Sequence, residues 1–478
     1  MKLFLLKCNL FLYLSQIFFD YLCHPKKEQR KKTSAGERGQ VLLSRYQHVL
    51  KHRFGDLPDL LSKLKDTRKR KNYEMEDVAM GGIFLFLLKF GSRNNLNNKR
   101  REESFVAHCE RTLGFRLPHQ DTIAKVLRKL PPEQLEKVKM ELMSDLFNQK
   151  CLRNSRLLNK YYMVAIDATG IVSYDHPHCP HCLTKTSKKG VVTYYHYALE
   201  AKLVTHDGLC LPLATEWIEN PEGDYVKQDC ERKAFLRLAK TLKKNFPRLP
   251  ICILADGLYP YEGVFEVCEK NEWKYIIVLP EKALSDGVQG ELGEAKRRPP
   301  KREHLCMKND KWIDSKYRFK TDIFYHKKYH LHWFQCLETR TKYQKPNEKK
   351  DKKTTEKPEE FCFEYVTNIE PTADTIHALS SGGRLRWKIE NEGFNAQKCG
   401  DYELEHKYSR NSYEGLQNYY TSLQIAHAIN QFVEHSSVVV EMLKEHSKET
   451  IRNIWQNLVA YMIFVSPYDG SLITPQPS

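Results

Sequence analysis

The chain has 478 residues, enough for two or three domains and a sizeable core. Lysine and arginine total 77 against 60 acidic residues, a net charge of +17, with 41% hydrophobic and 29% charged residues. That balance excludes a mostly disordered chain and favours a polyanionic partner, because Lys and Arg displace counterions from a phosphate backbone. The 14 cysteines are scattered, with only Cys179 and Cys182 close together, so reduced thiols and a cytoplasmic setting are expected.

Residues 1–40 read as an N-terminal extension and basic linker. Met1 to Cys23 is rich in Leu and Phe, but Lys7, Asn9, Gln16 and Asp20 interrupt it. A membrane span needs about 20 mostly apolar residues. A signal peptide needs a small-residue cleavage site, which is missing. An amphipathic extension or an upstream misread start fits better, and no membrane partner is expected. Lys26 to Lys32 is the linker.

Residues 41–155 form a helical, basic region, expected to bind DNA. Asp56 to Leu64 opens with a cap and an apolar stripe. Met80 to Phe90 is a buried helix, and Asn94 to Arg101 a polar, basic loop. Asp121 to Leu130 is a capped amphipathic helix stopped by Pro131 and Pro132. Its exposed Lys125, Arg128 and Lys129 suit a DNA groove or phosphates, although an ordinary solvated face accounts for them equally well.

The texture changes to strands in residues 156–280. Tyr162 to Ala168 is a short apolar run reaching Asp167. Thr193 to Val204 and Leu209 to Trp217 alternate as paired strands around the turn His206-Asp207-Gly208. Gln228 to Phe246 is a helix and Pro250 to Ala255 a buried strand ending in Asp256. Val264 to Glu269 is a short helix and Trp273 to Leu279 another buried strand. Three strands, then helix, strand, helix, strand, predict a mixed α/β sheet, the order of an RNase H-like core.

Residues 281–370 read as a β-rich insertion whose tip, 342–360, is almost entirely Lys, Glu, Pro, Asn and Thr and is expected to be disordered. The core resumes over 371–411 with a helix carrying Arg386 and Glu390. Residues 412–478 form a helical C-terminal region.

Asp167, Asp256 and Glu390 are the candidate metal ligands and catalytic residues. Phosphodiester cleavage by two metal ions needs hard oxygen ligands holding the ions roughly 4 Å apart, and carboxylates suit Mg²⁺ or Mn²⁺. In an α/β sheet, ligands bind beyond the carboxyl ends of the strands, where Asp167 and Asp256 are expected to project. Glu392 lies about 200° around the helix from Glu390, so only one of the two faces the metals.

The set Ile166-Asp167-Ala168-Thr169-Gly170, Ala255-Asp256-Gly257 and Arg386-Trp387-Lys388-Ile389-Glu390 resembles the DDE transposases of bacterial insertion sequences. It is most similar to the insertion-sequence-four group, which carries a β-rich insertion before the glutamate helix. Gln228-Asp229-Cys230-Glu231 and Leu404-Glu405-His406-Lys407-Tyr408 share in the resemblance, which covers roughly Tyr161 to Gln431. It implies that the three acids are a metal-binding triad. It also implies that basic residues of the motif Tyr-x2-Arg-x3-Glu-x6-Lys hold DNA phosphates. Arg386 fits that motif. The tyrosine position is Gly383 and the lysine position Gln397, with Lys398 one residue late. On an unbroken helix that shift swings the lysine by about 100°, and an irregularity at Gly393 would restore it.

The implied function is a transposase that binds its element's terminal inverted repeats as a homodimer, cleaves there and joins 3′-hydroxyl ends to target DNA. It would work in a bacterial cytoplasm, associated with the nucleoid. Two alternatives stand beside it: a catalytically silent DNA-binding descendant, and a zinc-containing nuclease or nucleic-acid-binding module. The second rests on His176-Pro177-His178-Cys179-Pro180-His181-Cys182. There Cys179 and Cys182 have zinc-site spacing, with two histidines to complete a site and His196, His206 and Cys210 as candidates from across the hairpin, but a loop that merely contains these residues is the favoured reading over zinc. Trp387 and Phe394 either stack on a base or pack in the core.

Overall fold

The computed structural model describes residues 34–220, 229–281, 283–284, 286–342, 357–445 and 450–468. The expected extension and basic linker before Ser34, and the loop tip over 343–356, lie outside the described residues. Helix α1 (Ala35–Arg53) opens with a capping box: the Ser34 hydroxyl accepts from the Glu37 amide while the Glu37 carboxylate accepts from the Ser34 amide. It is followed by α2 (Leu57–Ser62), α3 (Met75–Leu87), α4 (Arg93–Lys99), α5 (Glu103–Arg111), α6 (Gln120–Leu127) and α7 (Pro132–Asn148).

Helix α4 corrects the loop expected over Asn94 to Arg101. The Ser92 hydroxyl caps it at the Asn95 amide, and fully buried Leu96 anchors it, which together outweigh the poor helix propensity of its asparagines. Helix α6 starts on His119, whose ring accepts from the Asp121 amide. Its α-helix ends at Leu127, short of the expected Leu130, and Pro132 opens α7, where its missing N–H costs nothing.

The sheet begins with β1 (Tyr162–Tyr174), β2 (Leu183–Thr186), β3 (Val192–Val204) and β4 (Cys210–Ile218). Then come α8 (Glu231–Asn245), β5 (Ile251–Ala255), α9 (Glu262–Lys270) and β6 (Lys274–Val278). β3 runs antiparallel to β1 and to β4, while β5 is parallel to β1 and β6 to β5. The spatial order β4-β3-β1-β5-β6 is the mixed sheet that the element order predicts. Two details differ. β1 runs on to Tyr174, past a bulge between Gly170 and Val172, so Asp167 lies inside the strand rather than at its end. The β1–β3 connection holds the extra short strand β2, hydrogen-bonded to β3.

The insertion contains α10 (Asp286–Arg297), which the sequence does not announce. Four antiparallel strands follow: β7 (Arg302–Lys308), β8 (Lys311–Tyr325), β9 (Tyr329–Lys342) and β10 (Glu359–Thr367). β10 pairs with β6, so the insertion continues the core sheet, which has ten strands among the described residues. Glu359 and Glu360, expected in the disordered tip, instead pair with Arg340 and Thr339. A 2.9 Å ion pair from Lys311 to Glu359 offsets the strand-breaking charge.

One face of the sheet (Val164, Ile166, Ile253, Ile277) packs on α8 and α9. The other (Met163, Ala165, Cys252, Leu254, Ile276) is covered by α11 (Ile376–Arg384) and a π-helical segment, Ile389–Asn395, that runs into α12 (Ala396–Cys399). The chain ends in α13 (Tyr413–Glu434), α14 (Ser437–Glu445) and α15 (Ile451–Phe464). α13 is buried on nearly every side and packs against α1, α3, α6, α7 and β4. The N- and C-terminal helices therefore form one body around α13. Asn418 ties it to α6, donating to the Leu127 and Leu130 carbonyls at 2.8 Å each.

Candidate active site

Ala165 on β1 pairs with Leu254 on β5 in parallel register. Asp167 and Asp256 stand two residues further along their chains, so both project from the same face of the sheet, side by side. Each carboxylate accepts a short-range backbone bond at 2.9 Å, Asp167 from Ala168 and Asp256 from Leu258. Gly257 follows because a Cβ there would sit 2.3 Å from the Pro280 ring after β6. The Ala-Asp-Gly turn is thus set by a close approach that excludes a side chain.

Glu390 arrives from above, on the π-helical segment that packs against β1. Arg386 bridges the two: its guanidinium lies 2.7 Å from Glu390 and 3.8 Å from Asp167. Burial pushes the Asp167 carboxyl up to about 7. That value already contains the opposing pull of the Ala168 amide and Arg386 and the added push of the Glu390 and Asp256 charges. The three acids therefore share one electrostatic field, although they come from distant parts of the chain. Glu392 points elsewhere, pairing with Lys388 at 2.6 Å and lying towards Cys210 at the β3–β4 hairpin.

The other sequence candidates divide. Arg386 is 5% exposed and turned inward to the acids. Gln397 is buried and bonds Gln424 and His427. Lys398 is half-buried and pairs with Glu405 at 3.0 Å. The π-helical segment supplies the irregularity expected near Gly393. A π-turn fits an extra residue between two points on one helix face, which offsets the one-residue delay of Lys398. Gly383, where the motif carries tyrosine, has no room for a side chain. A Cβ there would lie 2.9 Å from Ile276 and 3.0 Å from the Tyr365 ring, so a tyrosine from β10 already occupies that volume. Lys125 is exposed on α6, Lys129 is exposed in the turn just after it, and Arg128 between them is half-buried. Phe394 packs in the core, whereas Trp387 is 50% exposed with the Arg386 guanidinium over its ring.

Two acids had no role in the sequence reading. Glu231, first residue of α8, is held above the usual carboxylate range by burial and by Asp256. It accepts from the Tyr259 hydroxyl at 3.4 Å, which makes it a fourth acid at the rim. Glu200, directly across from Asp167 in the β1–β3 register, is fully buried. It accepts from Thr215 and Tyr420, with Lys202 3.7 Å away. The signal was present as Leu199-Glu200-Ala201-Lys202, two charges in an otherwise apolar strand. Cys179 and Cys182 come together near His196, while His206 and Cys210 belong to the hairpin end and lie beside Lys388 and Glu392.

No protein-family model matches the chain. No curated protein matches it in sequence. Among solved structures it is similar to the cryo-EM structure of a piggyBac transposase synaptic complex with hairpin DNA. Identity is 11% and the TM-score 0.37, over 89% of this chain and 80% of that one. At that score the likeness decides nothing about chemistry, which rests on the site geometry. No helix among the described residues is long and apolar enough to cross a membrane.

Proposed function

We propose that the protein is a DDE transposase of the bacterial insertion-sequence type, acting on DNA ends at Asp167, Asp256 and Glu390. The observation that carries this reading is the convergence of the three acids. Two stand on neighbouring parallel strands and the third comes from a helical segment against the same face, in a chain of net charge +17. A carboxylate whose affinity for protons is raised by burial first and then by two neighbouring acids is a site that gains from a cation. The donors are all hard oxygens, which fit Mg²⁺ or Mn²⁺. Bound there, divalent ions would activate the attacking oxygen and stabilise the leaving one.

The protein's own groups do the positioning. Arg386 holds Glu390 towards Asp167. Exposed Trp387 offers a stacking face beside the acids, and Lys398, carried round by the π-turn, is the motif's phosphate-binding lysine. Lys125, Arg128 and Lys129 extend DNA contact across α6, and cutting two ends together calls for two copies of the chain.

The test uses a plasmid carrying the DNA that flanks the coding region. Full-length protein with Mg²⁺ is expected to nick or cut it at the repeats, and Glu390→Gln to bind the same DNA without cutting. DNA binding without cleavage by the wild-type protein would favour the silent descendant. Equal cleavage by Glu390→Gln would overturn the site.

A further inference from the structure

The β1–β2 connection carries five histidines and cysteines within seven residues, and the fold sorts them. His176 bonds the Asp175 carboxylate at 2.6 Å. His181 faces Glu219 at 3.3 Å and stacks on Tyr413. The remaining three, His178, Cys179 and Cys182, turn towards His196 on β3. The two sulfurs stand 3.7 Å apart, and His196 Nε2 lies 3.5 Å from Cys179 Sγ and 3.6 Å from Cys182 Sγ. The four ligand atoms all lie within 4.8 Å of one another.

Those edges are the ones a tetrahedral zinc ion requires. Zn–S bonds of about 2.3 Å and Zn–N bonds of about 2.0–2.1 Å give sulfur–sulfur edges near 3.8 Å and sulfur–nitrogen edges near 3.5 Å. His178 adds an independent sign. Its Nε2 is engaged by the Arg410 carbonyl, while its buried Nδ1 has no hydrogen-bond partner. Donation from Nε2–H leaves Nδ1 as the bare nitrogen, the arrangement in which an outer carbonyl orients a metal-bound histidine.

We propose that His178, Cys179, Cys182 and His196 bind one structural zinc ion. Four protein ligands close the tetrahedron and leave no position for water or substrate, so the ion takes no part in hydrolysis. His196 pairs with Val172, whereas Asp167 pairs with Glu200, so the site sits roughly 13–16 Å along the strands from the acids. The ion ties the β1–β2 connection to β3 and, through His178 and Arg410, to the segment before α13. Tyr174 stacks on His178 and Tyr413 on His196, with Lys407 over the Tyr174 ring. Lys407, Arg410, Arg93 and Arg128 line one cavity beside this knot, with a single acid, Asp121, paired to Arg93 at 2.7 Å. The zinc thereby braces a cationic surface suited to phosphate.

Metal analysis of the full-length protein, purified without added metal, is expected to find one zinc per chain. Replacing zinc by cobalt(II) is expected to give the visible bands of a tetrahedral ion with a thiolate charge-transfer band. His178→Ala and Cys179→Ser are expected to weaken retention against a chelator, while Cys230→Ser, an exposed thiol elsewhere, retains the metal. Glu390→Gln is expected to keep its zinc, which makes this outcome independent of the cleavage reading. Wild-type protein with no stoichiometric zinc and no tetrahedral cobalt spectrum would overturn the proposal. So would unchanged retention in both ligand variants.

Discussion

Asp167→Asn is expected to abolish Mg²⁺-dependent DNA cleavage, by about a thousandfold or more, and yet to stabilise the fold at neutral pH. The first effect follows if the carboxylate helps hold ions worth several kcal/mol of transition-state stabilisation, with each 1.36 kcal/mol a factor of ten. The second follows from the raised proton affinity. Unfolded, an aspartate releases its proton near pH 3.9, whereas folded Asp167 keeps its proton up to about 7. Between those values the folded chain carries the extra proton, so raising the pH opposes folding.

Three pH units correspond to at most about 4 kcal/mol. In chelator, the wild type should therefore lose stability from about pH 4 to pH 7 relative to Asp167→Asn, measured by urea unfolding across pH. Mg²⁺ should restore stability to the wild type and leave the variant unchanged. Parallel pH profiles for the two proteins would contradict the shared-field account of the acids.

Arg386→Ala is expected to cost about 3 kcal/mol of stability, towards the lower end of the range for breaking a buried ion pair, because both carboxylates keep some solvent contact. Without the guanidinium, Asp167 loses an opposing charge and should bind its proton more tightly still. The loss should therefore grow with pH, and Mg²⁺ should rescue this variant more than the wild type. Arg386→Lys should recover part of the stability but not the two-sided bridge. The double variant Arg386→Ala/Asp167→Asn should be destabilised less than the sum of its parts, since the arginine's partner is gone. Additive costs, or no cost in Arg386→Ala, would show that the bridge does not hold Glu390 in place.

The sheet order, and the placing of Asp167 and Asp256 on two of its strands, were legible because buried strands are written as short apolar runs. What local patterns could not show depends on distant partners. β1 continues past Gly170 because β3 offers pairing as far as Tyr194, a contact that no local reading of the half-polar Thr169 to Tyr174 supplies. Helix α4 survives its asparagines through one cap and one buried leucine. The insertion joins the core sheet through Tyr365 to Thr367, which pair with Ile276 to Val278 of β6, far earlier in the chain. The Gly383 departure from the motif is explained by Ile276 and the Tyr365 ring, which fill the space a side chain there would need. Of the cluster at Cys179 and Cys182, the pair was readable from spacing. Which of the three neighbouring histidines joins the proposed zinc site, His178, depends on the fold.

The convergence of three distant segments on one metal site can be tested directly by loading the protein with iron(II) and generating hydroxyl radicals with ascorbate and peroxide. Radicals cut the backbone beside the bound ion. The account predicts fragments ending near Asp167, Asp256 and Glu390, suppressed together by excess Mg²⁺ and lost in Asp256→Asn. Cuts confined to the segment around Cys179 and Cys182, or unaffected by Mg²⁺, would contradict it.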